Sequence, residues 1–178
     1  PLVGKPPAAP ATGETSVGGR IGYTPGGSMG ASMGGRGAHR TGPRTGHRMK
    51  PGFEPGIARE ITVAVTDAMC PAFDGAVVHH VYSTWSVAHH FELAARKVLV
   101  DFLDEHEEGI GSHVSVDHFA PCPVGRTVRV RATLTEVRRD HHVRATCSLT
   151  AHDGDRLLAK GRQVQVVMTK EHLRKYLE

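Results

Sequence analysis

The chain has 178 residues, 22 Lys and Arg against 18 Asp and Glu, and a net charge of +4. That length suits one domain of ordinary size plus a tail. No apolar run approaches the roughly 20 residues needed to cross a bilayer, and no signal-peptide core is visible. Cys70, Cys122 and Cys147 are odd in number and form no CxxC pair, which argues against a disulfide framework and a thiolate zinc site. A reduced, cytoplasmic setting is expected.

Residues 1–57 hold most of the 21 Gly and 11 Pro and almost no aliphatic runs. Such a segment buries too little apolar surface to offset its chain entropy, so it reads as a disordered tail. It carries Lys5, Arg20, Arg36, Arg40, Arg44, Arg48 and Lys50 against Glu14 and Glu54, a net of +5 that leaves the rest of the chain at −1. The alkaline pI therefore describes the tail. A basic Gly/Arg-rich segment suits a polyanion such as RNA, but it has one aromatic ring before Phe53 and no repeat, so a leader or linker is the reading adopted.

The folded part is expected over residues 58–178. Glu60–Val65 alternates and is β-branched, the pattern of a strand. Asp67–Val81, with Pro71 and Gly75, reads as a loop with an irregular turn. Ser83 or Thr84 then caps a helix whose buried face is Val87, Ala88, Phe91, Ala94, Ala95, Val98, Leu99 and Phe102. Asp104, Glu105, Glu107 and Glu108 follow, at the unfavourable end of the helix dipole, and are expected to be solvated. Strand patterns run over Ser112–Phe119, Thr127–Arg138, His142–Thr150 and Leu157–Thr169, with Asp153-Gly154 as a hairpin signal between the last two. The order is strand, long helix, four mostly antiparallel strands. One helix covers such a sheet best if the sheet wraps around it, and pairing the remaining edge with a second copy predicts a dimer.

Three side chains in this stretch are poor choices for packing alone. Thr84 stands at a helix start, where free N–H groups and partial positive charge meet a carbonyl oxygen or a phosphate, although capping alone also explains a Thr there. Glu92 flanks the apolar stripe of the helix, where a carboxylate is costly unless paired, used or reaching solvent. His118 continues the face of Val114 and Val116, as a satisfied core histidine or a functional one. Gly111 permits close backbone approach to a ligand. Trp85, directly after Thr84, either packs in the core or narrows a ligand pocket. The histidine pairs 79–80, 89–90 and 141–142 lack a matched carboxylate or thiolate at ligand spacing, so no metal is expected.

The order and spacing of Thr84, Glu92, Gly111 and His118, the Pro123-Val124-Gly125 turn, the strand Thr127–Val137 and the hairpin at Ala151–Gly154 resemble the fluoroacetyl-CoA thioesterase-like branch of the hotdog-fold thioesterases, over about residues 81–167. The resemblance implies an α+β hotdog fold and a homodimer with its site at the subunit interface. It implies a catalytic set of Thr84, Glu92 and His118, with the Gly111 backbone beside the thioester. The implied reaction is hydrolysis of an acyl thioester of CoA or of a phosphopantetheine carrier, without metal or cofactor. Glu92 would be nucleophile or general base, His118 would polarise the carbonyl or move the proton, and Thr84 would orient Glu92 or donate to the oxyanion. The family's shielding phenylalanines are missing from Gly75–His80, so selectivity for fluoroacetyl-CoA is not expected. Gly161-Arg162-Gln163 also departs from the family pattern. Two other readings stand beside the hydrolase: a non-catalytic hotdog module that binds an acyl group or acyl-carrier partner, and, ranked last, a hydratase or dehydratase.

Overall fold

A computed structural model of the chain describes residues 49–178. β1 (Ala58–Ala64) leads through a 3-10 turn (Asp67–Met69) to a small hairpin, β2 (Ala72–Phe73) and β3 (Ala76–Val77). The long helix α1 (Thr84–Val100) follows, then β4 (Glu107–His118), β5 (Thr127–Arg139), β6 (Val143–Asp153), β7 (Arg156–Thr169) and a short helix α2 (Lys170–Arg174). The five long strands form one antiparallel sheet in the order β1-β5-β6-β7-β4, so β1 and β4 are its edges. This is the helix-and-sheet arrangement expected from the sequence.

Val87, Phe91, Ala94, Ala95, Val98 and Leu99 put one face of α1 against the sheet. Val128, Val130, Ala132 and Leu134 of β5 meet it with Ala145, Cys147, Leu149 and Ala151 of β6, each set at alternate positions. Phe91 lies so close to β7 that a Cβ on Gly161 would collide with its ring and with the Ser115 carbonyl. The three cysteines are buried and free, and burial pushes the Cys147 thiol up to about 11.

The expected tail, residues 1–57, falls mostly outside the described residues. Within them the packed chain reaches back past the expected boundary. Phe53 is buried against Phe102, with ring centroids 5.3 Å apart, and its carbonyl accepts from Arg139 Nη2 at 2.8 Å. The Lys50 N–H donates to the Phe102 carbonyl and that of Gly56 to Leu134, so residues 49–57 close the C-terminal end of α1. One aromatic anchor with backbone partners is enough to dock a stretch whose composition looks unstructured.

Two further expectations are corrected. The acidic cluster after α1 is only partly solvated: Glu105 is exposed as expected, Asp104 is half-buried, and Glu107 and Glu108 depart from the expectation. Glu107 is buried and opens β4, and Glu108 pairs with Arg96 at 2.9 Å, which with the Gly109 N–H holds its carboxyl below the ordinary value despite burial. Residues 67–81 contain a true hairpin. Asp74 (φ 51°) and Gly75 (φ 82°) are both left-handed, the geometry of a tight two-residue β turn.

Candidate active site

Ser83, not Thr84, caps α1. Its side chain accepts from Ser86 N at 3.2 Å and donates to Ser86 Oγ, while its own N–H donates to Met69 O. Thr84 is therefore the first helical residue and its hydroxyl has no capping duty. That hydroxyl lies 3.2 Å from His118 Nδ1. Two backbone links bring the distant segments together: Val81 bridges to Pro123, and the Tyr82 N–H donates to Cys122 O at 2.8 Å. Gly125 (φ 87°) turns the chain back, with its N–H on Val65 O. The other ring nitrogen of His118, Nε2, is shielded from water and has no partner among the described residues.

A cavity of about 510 Å³ opens beside this pair. Pro71, Phe73, Val81, Trp85, Phe119 and Pro121 form its apolar walls, and Thr84 and His118 lie on its lining. The N–H groups of Thr84 and Trp85 belong to the first turn of α1, where no intrahelical acceptor exists, so they are available to a carbonyl oxygen.

Glu92 stands two turns further along α1, roughly 12 Å in rise. Its side chain is exposed and lies across Gly111: a Cβ at Gly111 would sit 2.5 Å from Glu92 Oε1. Together with His89, Arg96, Gln163 and Gln165 they line a second cavity of about 260 Å³. Gly111 has ordinary extended backbone, so here glycine serves close approach and not a turn. Thr84 with His118, and Glu92 with Gly111, thus occupy successive positions along the side of α1 that faces β4. Within one chain Glu92 makes no hydrogen bond to Thr84 or His118.

Two neighbours on β7 were not candidates from the sequence, which marked Gln163 only as part of a departure from the family pattern and left Gln165 out. Gln163 and Gln165 are buried polar side chains on β7, facing α1 among aliphatic residues, and Gln163 Oε1 has no partner among the described residues. Their alternation with Val164 and Val166 was the available signal: two amides at period two on the core face. Arg162, between Gln163 and Gly161, points to the opposite face, and Gly161 is explained by its contact with Phe91.

One three-donor group occurs among the described residues. Asp67, Cys70 and His80 place their ligand atoms within 4.8 Å of one another. Asp67 and His80 already pair at 3.2 Å, and the Cys70 thiol donates to Thr66 O at 3.9 Å. These donors meet through the fold and not through ligand spacing in the sequence.

The model of the family described as "Fluoroacetyl-CoA-specific thioesterase" matches residues 65–171, more than half of the chain. A hypothetical protein of Thermus thermophilus, described as a thioesterase superfamily member, is 32% identical over 71% of this chain and 92% of its own, with a TM-score of 0.67. The fluoroacetyl-CoA thioesterase FlK is 23% identical over 71% of this chain and 96% of its own, at TM-score 0.64. A hot-dog-like protein of Thermanaerovibrio acidaminovorans aligns at 23% identity over 70% of this chain and 90% of its own, also at 0.64. The curated proteins return no match. The five-stranded sheet on one long helix is thus a hotdog fold, and the chain belongs to the fluoroacetyl-CoA-specific thioesterase family, enzymes that hydrolyse acyl thioesters.

Proposed function

We propose that the chain hydrolyses an acyl thioester of CoA, or of a phosphopantetheine carrier, with Thr84, Glu92 and His118 as its catalytic set and no metal. The Thr84–His118 hydrogen bond carries this reading: Ser83 already caps the helix, so structure alone gives the Thr84 hydroxyl no reason to meet an imidazole. Thioester cleavage needs donors for the developing oxyanion, a group that moves a proton, and a nucleophile or activated water. The first-turn N–H groups of α1 supply the donors. His118 exchanges the proton, with Thr84 fixing its ring. Glu92, held over Gly111, attacks or activates water; both routes use the same side chain.

Glu92 and His118 belong to different cavities of one chain. This supports a site completed by a second copy along the exposed edge strand β4, where Val114 presents an apolar side chain to solvent. The cytoplasm is the setting proposed, and no helix among the described residues is long and apolar enough to cross a membrane. Solved structures of FlK include complexes with fluoroacetate and CoA. Residues 75–80 here carry no phenylalanine, which supports a different acyl group.

The test is turnover on a panel of acyl-CoA thioesters. Glu92→Gln and His118→Ala should each lose at least about a hundredfold in kcat, as acid–base roles require, with circular dichroism unchanged. Full activity in either variant refutes the assignment.

A further inference from the structure

Resting on that reading, we propose that the 510 Å³ cavity beside Thr84 and His118 takes the acyl group, and that it is built for a bulky aromatic acyl chain. Three large aromatic side chains stand exposed around this one opening: Phe73 at 62%, Phe119 at 60% and Trp85 at 46%. Isolated exposed apolar residues are ordinary, but a contiguous cluster around a concavity marks a binding surface.

Size favours more than a two-carbon acyl group in a cavity of about 510 Å³. Such a group displaces about as much volume as two waters, at ~30 Å³ each, and would leave most of the cavity empty. Cavities of roughly 300–1,000 Å³ hold ring-bearing ligands of drug size.

Shape and chemistry narrow the class. Phe73 and Trp85 meet edge to face, with centroids 5.6 Å apart and planes at 82°. Rings favour this geometry and accept a further ring by offset stacking or edge contact. Pro71 and Pro121 make stiff walls, and a rigid planar acyl group loses less freedom on entering than a flexible alkyl chain. Polar groups able to meet a thioester sit at the Thr84–His118 side. The ligand that fits carries a polarisable carbonyl at one end and an aromatic body beyond it.

Trp85 is the only tryptophan of the chain, so its fluorescence reports this cavity alone. The probes are two hydrolysis-inert thioethers that differ in one group, S-phenacyl-CoA and S-acetonyl-CoA, titrated into the full chain. S-phenacyl-CoA should shift Trp85 emission and bind at least about tenfold tighter. Phe73→Ala should remove most of that difference. In turnover, kcat/KM for phenylacetyl-CoA should exceed that for acetyl-CoA by at least about tenfold. Equal affinity for the two thioethers overturns the proposal, as does a Phe73→Ala variant that changes the mass in solution but not the preference. Cleavage of both thioesters without discrimination leaves the hydrolase reading standing and this proposal refuted. Discrimination between the thioethers without cleavage of either thioester does the reverse.

Discussion

Gly111 and His118 are seven residues apart on one strand, yet both face α1. Simple alternation would set them on opposite sides of the sheet. The pairing of β4 with β7 shows why: Gly111 lies opposite Gln165 and His118 opposite Ala159, but the register slips between Gly111 and His113, leaving Ser112 as an extra residue. A β-bulge of this kind inverts the parity of everything beyond it. Ser112 secures the bulge by donating its hydroxyl to Val164 O at 3.2 Å.

Deleting Ser112 should therefore restore plain alternation and turn either Gly111 or His118 away from the helix. Thioester turnover is expected to fall at least about a hundredfold, while far-UV circular dichroism keeps the signature of the sheet. A deletion variant with normal kcat would show that the bulge does not matter to the site.

The neighbours Ser83 and Thr84 should separate stability from chemistry. Ser83→Ala removes the cap of α1 and should cost about 1 kcal/mol, read in urea unfolding, with modest loss of activity. Thr84→Val removes only the hydroxyl that reaches His118. It should leave stability within ~0.5 kcal/mol and lower kcat at least about tenfold, with Thr84→Ser restoring it. Equal destabilisation by both changes would mean that Thr84 shares the capping role.

Two glycines predict opposite outcomes for one substitution. Gly161→Ala drives a methyl group into the Phe91 ring, which is buried in the core, and into the Ser115 carbonyl of the paired strand β4. It should destabilise by about 1–3 kcal/mol through overpacking. Gly111→Ala collides with the carboxylate of Glu92, the end of an exposed side chain, and only touches Gln163 Nε2 at 3.5 Å, an ordinary contact. The carboxylate can move, so thermal unfolding should change little while kcat drops. Thermal melts paired with kinetics on both variants check the contrast.

His90 gives the fold an acid sensitivity. It is buried, its Nδ1 lies 2.7 Å from Tyr82 Oη, and burial holds the ring below the ordinary value of 6.5. As pH falls through 6.5, the unfolded chain takes up a proton that the folded chain refuses. Acid then favours unfolding: the contribution is complete above 6.5 and is lost as pH drops toward the lower folded value. The melting temperature should decline from pH 7 to pH 5, and less steeply in His90→Gln. Parallel slopes for the two proteins would exclude His90 as the source.

The sequence was most legible where one face is buried. The helix face of Val87, Phe91 and Val98 and the alternation of β5 and β6 reflect burial against a single partner, and hydrophobic periodicity reports that directly. The three candidate residues were legible as types that packing alone does not favour, and the resemblance grouped them. That Gly111 and His118 share the face toward α1 was not legible from alternation, because it depends on Ser112, whose extra place in β4 exists only relative to β7. The short hairpin was legible and overlooked: Phe73-Asp74-Gly75-Ala76 carries the Asp-Gly signal that was recognised at residues 153–154, where the turn in fact centres on Gly154 and Asp155. Glu107 and Glu108 were misread since local charge counts toward a helix end, whereas a neighbouring strand and Arg96 decide where they lie.

The β2–β3 hairpin stands apart from the five-stranded sheet and holds Phe73 over the mouth of the cavity. A handful of residues there is free to drift or be exchanged without disturbing the register that aligns Gly111 with His118. On the proposed reading that the cavity takes the acyl group, that hairpin is an interchangeable part, and grafting it between relatives should transfer preference while Thr84, Glu92 and His118 stay put.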